Sequence, residues 1–240
     1  MPLVAATAVA AGAALQSATG FGFSLIAAPI VFATVGPPEA VGLLLILGFE
    51  VNVLTLFGER RRPQPLPRDT LILVLWAVPG SLAGVAVLRA LDPVALQIAL
   101  SAGVVATLLA RRLVAGHHVP RWAAPVAGFT SGALSTSTST SGPPLLVYLL
   151  GREIPPAQVR DTLTVAFACL GIIGGIALWA TGTDAAPEAD LLLVLMPLAA
   201  VAHVAGRPVF SRLASGGRYE PVVTAVLLIS VVAGLVSVIA

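Results

Sequence analysis

The sequence predicts an all-α polytopic membrane protein of two inverted-topology repeats, each made of a short helical hairpin and three spanning helices. Three observations predict this class. The chain is 58% hydrophobic and only 10% charged over 240 residues, and its mean hydropathy of +0.99 indicates more apolar surface than a soluble core of this size can hide. Long apolar segments alternate with pairs of short ones. The second half of the chain repeats the spacing of the first.

Ten apolar segments follow one another along the chain. Six approach the roughly 20 residues that a spanning helix needs, namely 39–57, 70–90, 94–113, 156–180, 190–209 and 220–240. The other four form two pairs, 3–16 with 22–35 and 122–135 with 143–151, and a polar, glycine-containing joint separates the members of each pair. Such pairs are typical of helical hairpins or broken helices. The first segment lacks the basic residues that begin a signal peptide, so we assign it to the membrane domain.

The arginines predict how the chain threads the membrane. All 13 basic residues are arginines, and twelve of them can lie on the cytoplasmic side in one threading. The twelve lie in four connectors: Arg60, Arg61, Arg62 and Arg68; Arg111, Arg112 and Arg121; Arg152 and Arg160; Arg207, Arg212 and Arg218. The connector 181–190 contains three acidic residues without arginine and suits the opposite side. Both termini are then non-cytoplasmic, hairpin 3–35 enters from outside, and hairpin 122–151 enters from inside. The basic character serves orientation and does not indicate nucleic-acid binding.

An internal repeat supports this layout. Gly12-Ala13 and Gly22 match Gly132-Ala133 and Gly142 at an offset of 120, and 37–41, Pro79 and Arg89 match 155–159, Pro197 and Arg207 at an offset of 118. We therefore expect a first repeat at 1–115, a cytoplasmic connector at 116–121 and a second repeat at 122–240. Because three spanning helices is an odd number, the repeats should be inverted. A parallel arrangement would follow if one short pair were a single span.

The two joints are the candidate binding elements. The first is 16–24, and the second contains seven consecutive hydroxyl residues, 135–141, before Gly142-Pro143-Pro144. Backbone that leaves the helix inside a membrane needs polar partners, and free amides at helix starts together with hydroxyls form an uncharged anion receptor. A tetrahedral sulfur oxyanion offers the matching acceptors. The candidate substrate-binding residues are Gln16, Ser17, Thr19, Gly20, Gly22, Ser24, Ser135, Ser137, Thr138, Ser139, Thr140, Ser141, Gly142 and Tyr148. The alternative is that the hydroxyls only tie helices together by bonding to nearby carbonyls.

These joints resemble the two signature stretches of the TauE/SafE sulfite exporter family. The resemblance rests on Ser17-Ala18-Thr19-Gly20-Phe21-Gly22-Phe23-Ser24 and on Gly128–Ser135 continuing to Gly142-Pro143-Pro144-Leu145, and it covers almost the whole chain. It implies a bacterial-type inner-membrane carrier that exports sulfite or an organosulfonate. The family often has further glycines before the Gly-Pro-Pro, where this chain has Thr138–Ser141, so the substrate's size or identity is expected to differ from that of common members.

Other polar residues in the apolar segments receive secondary roles. Glu50 and His203 are candidate groups for proton coupling, since ionisable side chains inside a membrane are often functional. Pairing of Glu50 with Arg60 or Arg61, and a structural hydrogen bond for His203, are the alternatives. Asn52 and Arg207 are candidates for an inner vestibule. We expect no cofactor and no metal, and the single cysteine excludes an internal disulfide.

Three rival functions remain open from the sequence. A passive anion channel would use the same donors as a carrier. An intramembrane serine hydrolase would pair Ser137 or Ser141 with His203, although no short motif singles out either serine. A scaffold subunit is the third, and the lack of a soluble domain weakens it. The mechanism that we expect is alternating access, with the hairpin tips holding the anion while one repeat rocks against the other.

Overall fold

The computed structural model describes residues 2–58, 62–114, 118–152 and 154–215, and the regular secondary structure in these ranges is helical. The helices are α1 (Pro2–Thr19), α2 (Phe23–Val35), α3 (Pro37–Gly58), α4 (Pro67–Ala90), α5 (Pro93–Val114), α6 (Ala124–Thr138), α7 (Gly142–Leu150), α8 (Pro156–Ala180) and α9 (Ala189–Ser215). A 3₁₀ turn, Arg121–Ala123, leads into α6. The all-α class is thus confirmed for these parts of the chain.

Four helices are long and apolar enough to cross a membrane: Pro37–Gly58, Pro67–Ala90, Pro156–Ala180 and Ala189–Pro208. They correspond to four of the six predicted spans. The fifth, 94–113, coincides with α5 within one residue at each end. The sixth, 220–240, lies outside the described residues.

Both short pairs are broken helices, and their breaks are shorter than the sequence predicts. Helix α1 continues to Thr19 and α6 to Thr138, so the breaks are confined to 20–22 and 139–141. The hydroxyls of Thr19 and Thr138 each donate to the carbonyl four residues earlier, at 2.9 and 3.2 Å. Their polar groups are therefore satisfied within the helix, which lets the helix extend into a polar stretch.

The two breaks turn in different ways. Gly20 and Gly22 adopt the left-handed conformation at the first, with φ of 85° and 101°. At the second the left-handed residue is Ser139, with φ of 57°, the one non-glycine residue with positive φ in the described ranges. Because an L side chain there costs about 1–2 kcal/mol, the second break holds local strain that the first avoids.

Glycines bring two helix pairs into backbone contact. A Cβ on Gly84 of α4 would overlap the carbonyl oxygen of Ala133 in α6, and one on Gly132 would overlap that of Ala77. Helix α1 packs on α9 in the same manner, where Gly206 meets the carbonyl oxygen of Ala14. Small residues permit this close approach between membrane helices. Helix α3 packs against α2, α8 and α9.

The two ends of the bundle differ in charge. Contacts such as Gln64 N–H to Asp161 and Arg207 to the Gly58 carbonyl gather the start of α4, the start of α8 and the end of α3 at one end. We call it the basic end, and its described arginines are Arg62, Arg68, Arg121, Arg152, Arg160 and Arg207. The opposite, acidic end contains Glu39, Arg89, Asp92, Asp184 and Glu188. Described arginines that the threading assigns to one side therefore share one end.

Candidate functional site

A small cavity lies where the two helix breaks meet inside the bundle. Its volume is about 50 Å³, several times the roughly 10–15 Å³ that one water needs. Its walls come from the α1–α2 break, the middle of α3, the α6–α7 break and the middle of α8. The polar side chains of the wall are all uncharged: Gln16, Ser24, Asn52, Ser135, Ser139, Thr140 and Ser141.

Eight of the predicted binding residues line this cavity: Gln16, Gly22, Ser24, Ser135, Ser139, Thr140, Ser141 and Gly142. The other six do not: Ser17, Thr19, Gly20, Ser137, Thr138 and Tyr148. Both breaks, which are far apart in the sequence, thus contribute to one cavity. Asn52, predicted for a vestibule, lies in the cavity wall itself.

The hydroxyl run divides into bonded and available groups. Ser137 donates to the Ala133 carbonyl at 2.7 Å, and the hydroxyls of Thr138 and Thr140 are hydrogen-bonded to each other at 2.6 Å. For these side chains the helix-tying interpretation describes the observed contacts. The hydroxyls of Ser135 and Ser141 form no hydrogen bond within the part of the chain that the structure describes, and they face the cavity.

The first break contributes an amide network and one available hydroxyl. Gln16 donates from Nε2 to Asn52 Oδ1 at 2.9 Å and accepts from the backbone N–H of Phe23 at 3.3 Å. This glutamine therefore links α1 to α3 and to the start of α2. Ser24, in the first turn of α2, has a hydroxyl without a hydrogen bond to the described residues.

The helix starts at the cavity offer fewer amides than the sequence predicts. At α2, the Phe23 N–H is already bonded to Gln16, which leaves Ser24 and Leu25 as first-turn donors. At α7, which begins at Gly142, the two prolines that follow have no N–H. Hydroxyls and side-chain amides therefore supply a large share of the donors, and the helix dipoles supply the remaining positive potential.

A buried arginine stands behind the first break. Arg160 is wholly buried in α8, donates from Nη2 to the Ser17 carbonyl at 3.1 Å, and packs so closely that a Cβ on Gly20 would lie 2.5 Å from its Cγ. Its positive charge thus stabilises the C-terminal end of α1. Placing Arg160 in a connector was wrong, because it lies in α8 and its side chain packs against the first break. The available signal was its position inside the apolar segment 156–180.

Tyr148 belongs to a different cluster, at the basic end. Its hydroxyl donates to the carboxylate of Asp69, which is only 2% exposed. Arg152 and Arg121 lie 3.7 and 3.9 Å from the same carboxylate. The cluster joins α4 to α7 and to the turn before α6, so Tyr148 contributes to the packing of the second hairpin.

Three of the candidate coupling and vestibule residues, Glu50 of α3 with His203 and Arg207 of α9, lie outside the cavity wall. Glu50 has a buried carboxylate oxygen that accepts no hydrogen bond from the described residues, and its predicted arginine partners lie outside those residues. His203 is fully buried, with Nε2 3.4 Å from the hydroxyl of Thr55. Arg207 donates to the carbonyls of Leu54 and Gly58 at the end of α3. It therefore caps the C-terminal end of α3.

Broken hairpins that meet at an uncharged polar cavity within a bundle of apolar helices are typical of a polytopic membrane protein of the transporter class. The family model described as "Sulfite exporter TauE/SafE" matches residues 4–234. The chain belongs to this family. Membership implies a membrane exporter of sulfite or sulfonates, and the Nε2 atom of His203 lies 3.4 Å from the hydroxyl of Thr55. No curated protein and no solved structure matches the chain.

Proposed function

We propose that the protein is a secondary transporter that exports a small sulfur-containing monoanion, hydrogensulfite or an organosulfonate, across a bacterial-type inner membrane by alternating access. The observation that carries this proposal is the uncharged polar cavity between the two helix breaks. Family membership supports the substrate class. The hydroxyls of Ser24, Ser135 and Ser141 are available to donate to the oxygens of such an anion.

The cavity wall supports a substrate with a single negative charge. Burying an ion costs free energy that rises with the square of its charge, so a dianion costs about four times as much as a monoanion. Among the described residues, no arginine or histidine lines the cavity to offset that cost. Hydrogensulfite and simple alkanesulfonates such as methanesulfonate, which carry one negative charge, should therefore be accepted in preference to sulfate.

The helix contacts support two inverted repeats, at 1–115 and 122–240, joined by 116–121. Helices α1, α3 and α4 correspond by sequence offset to α6, α8 and α9. Helix α4 packs on α6, α9 packs on α1, and α3 packs on α8. These pairs exchange under a two-fold operation. The two breaks make equivalent contacts with the other repeat. Gly20 of the first break lies against Arg160 early in α8, and Ser139 of the second break donates to the Val41 carbonyl early in α3.

The charge segregation supports the orientation. With the basic end in the cytoplasm, α1 begins on the opposite side and the first hairpin returns there. The second hairpin enters from the cytoplasm. The C-terminus, which we place on the non-cytoplasmic side, lies outside the described residues.

Proton coupling is a second part of the proposal, and it rests on Glu50 and His203. Both are ionisable groups within the bundle, and Glu50 has an unpartnered carboxylate oxygen. Flux driven by a pH gradient is expected to fall in Glu50→Gln or His203→Gln, while exchange of substrate without a gradient continues. Unchanged gradient-driven flux in both variants would remove proton coupling through these residues.

The experiment that tests the function is flux in proteoliposomes containing the purified protein, with sulfite, methanesulfonate, sulfoacetate, taurine, thiosulfate and sulfate. Saturable flux of sulfite and methanesulfonate, with little flux of sulfate, is the expected result. Sulfate and methanesulfonate have similar shapes, so their ratio reports charge selection. Flux that does not saturate would indicate a channel, and no flux of any of these anions by a folded protein would refute the proposal.

A further inference from the structure

An apolar groove adjoins the polar cavity on the side of α3 and α8. Its volume is about 580 Å³, within the range of roughly 300–1,000 Å³ that is typical of small-molecule pockets. The groove runs to the loop 183–187 at the acidic end, and its walls are almost entirely hydrocarbon. Thr183 and Asp184, at that end, are its main polar contributors.

The groove and the polar cavity share a thin partition. Leu45, Phe49 and Gly171 line both spaces. A Cβ on Gly171 would lie 3.3 Å from the Phe49 Cβ, so the glycine lets the two helices approach closely where the Phe49 ring and Leu45 face both spaces. The Phe49 side chain is 36% exposed, so dense packing does not hold it in place. A rotation of this one ring would join a polar space to an apolar one.

We propose that the α3–α8 groove binds the apolar substituent of an organosulfonate whose anionic head occupies the polar cavity, and that the Phe49 ring moves aside to admit it. This inference rests on the proposed function. The expected substrate is charged at one end and hydrocarbon at the other, because one of the two adjoining spaces is polar and the other is apolar. The small polar cavity alone would accept only the head.

The test is competition with labelled sulfite flux in proteoliposomes, using methanesulfonate, propanesulfonate and hexanesulfonate. Each added methylene should lower the inhibition constant by about fourfold at full burial. Gly175 lines the groove, and a Cβ there would meet no atom within 4 Å. Gly175→Phe should therefore fill the groove without disturbing the fold. This variant should keep sulfite flux and inhibition by methanesulfonate, and lose the advantage of hexanesulfonate.

Ile176→Phe is the matched control, since Ile176 is the next residue, is 58% exposed and lies outside the groove. It should retain the dependence on chain length. Inhibition constants that do not change with chain length, or a chain-length effect that persists in Gly175→Phe, would overturn the inference and leave the groove as a lipid contact. Loss of sulfite flux together with all competition in the folded wild-type protein would instead refute the proposed function, and this inference with it.

Discussion

Removing the hydroxyl of Ser135 or Ser141 should weaken substrate binding strongly. Both hydroxyls face the cavity without a hydrogen bond to the described residues. A hydrogen bond to a charged partner contributes about 1.5–3 kcal/mol, and each 1.4 kcal/mol is about tenfold in an equilibrium constant. Ser135→Ala and Ser141→Ala should therefore each raise the KM for sulfite by roughly ten- to one-hundred-fold. The double variant should lose less than the sum, because both side chains bind one ligand.

Ser137→Ala is the control, because it removes a serine hydroxyl from the same run of residues, 135–141. The Ser137 hydroxyl is already bonded to the Ala133 carbonyl and does not line the cavity. The KM of this variant for sulfite should therefore stay at the wild-type value. Initial rates of sulfite uptake into proteoliposomes would measure all three variants, with equal insertion verified by protein content. An equal loss in Ser137→Ala, or none in the other two, would refute the assignment of this cavity as the substrate site.

Three further predictions concern the fold around the site. Ser139→Gly should raise the thermal unfolding midpoint in detergent, because glycine relieves about 1 kcal/mol of left-handed strain. Ser139→Val should lower the midpoint, and a lower midpoint for the glycine variant than for the valine variant would contradict the strained turn. Tyr148→Phe leaves the buried Asp69 without its hydroxyl donor, so stability should fall while the KM for sulfite stays unchanged, and a raised KM would return Tyr148 to the binding site. Gly84→Val should prevent folded expression, because the backbone of α6 lies against that glycine. Gly175→Ala is the control and should express normally, because its Cβ enters open space. Size-exclusion chromatography measures the folded yield, and equal yields would contradict the close helix crossing.

The sequence predicted the helices well, because proline and glycine delimit them in a uniformly apolar chain. Helix α8, for example, occupies the predicted range 156–180. Hydropathy and the arginine distribution together also indicated which ends of the helices meet. These properties are local or depend on composition, so they can be predicted from a single sequence.

The details of the site were less predictable, because they depend on helical phase and tertiary contact. Residues 135–141 present the same chemistry seven times, so nothing in the pattern distinguishes Ser135 from Ser137. The structure separates them because α6 extends through Thr138, which turns Ser135 toward the cavity and Ser137 toward its own helix. The burial of Arg160 likewise depends on Gly20, 140 residues earlier in the chain.

The glycine-mediated crossing of α4 with α6 constrains how the molecule could rearrange. Backbone touches backbone along this crossing, so the two helices can slide or separate only by losing most of their contact. The same holds where α1 meets α9 at Gly206. Each tight pair takes one helix from either half of the sequence, so the alternating access that we propose would preserve both pairs only if each pair moved as a unit. Rocking of one repeat against the other would separate the two helices of each pair. Motion of two composite blocks, α4 with α6 and α1 with α9, would keep each pair together and would move the hairpin tips relative to α3 and α8.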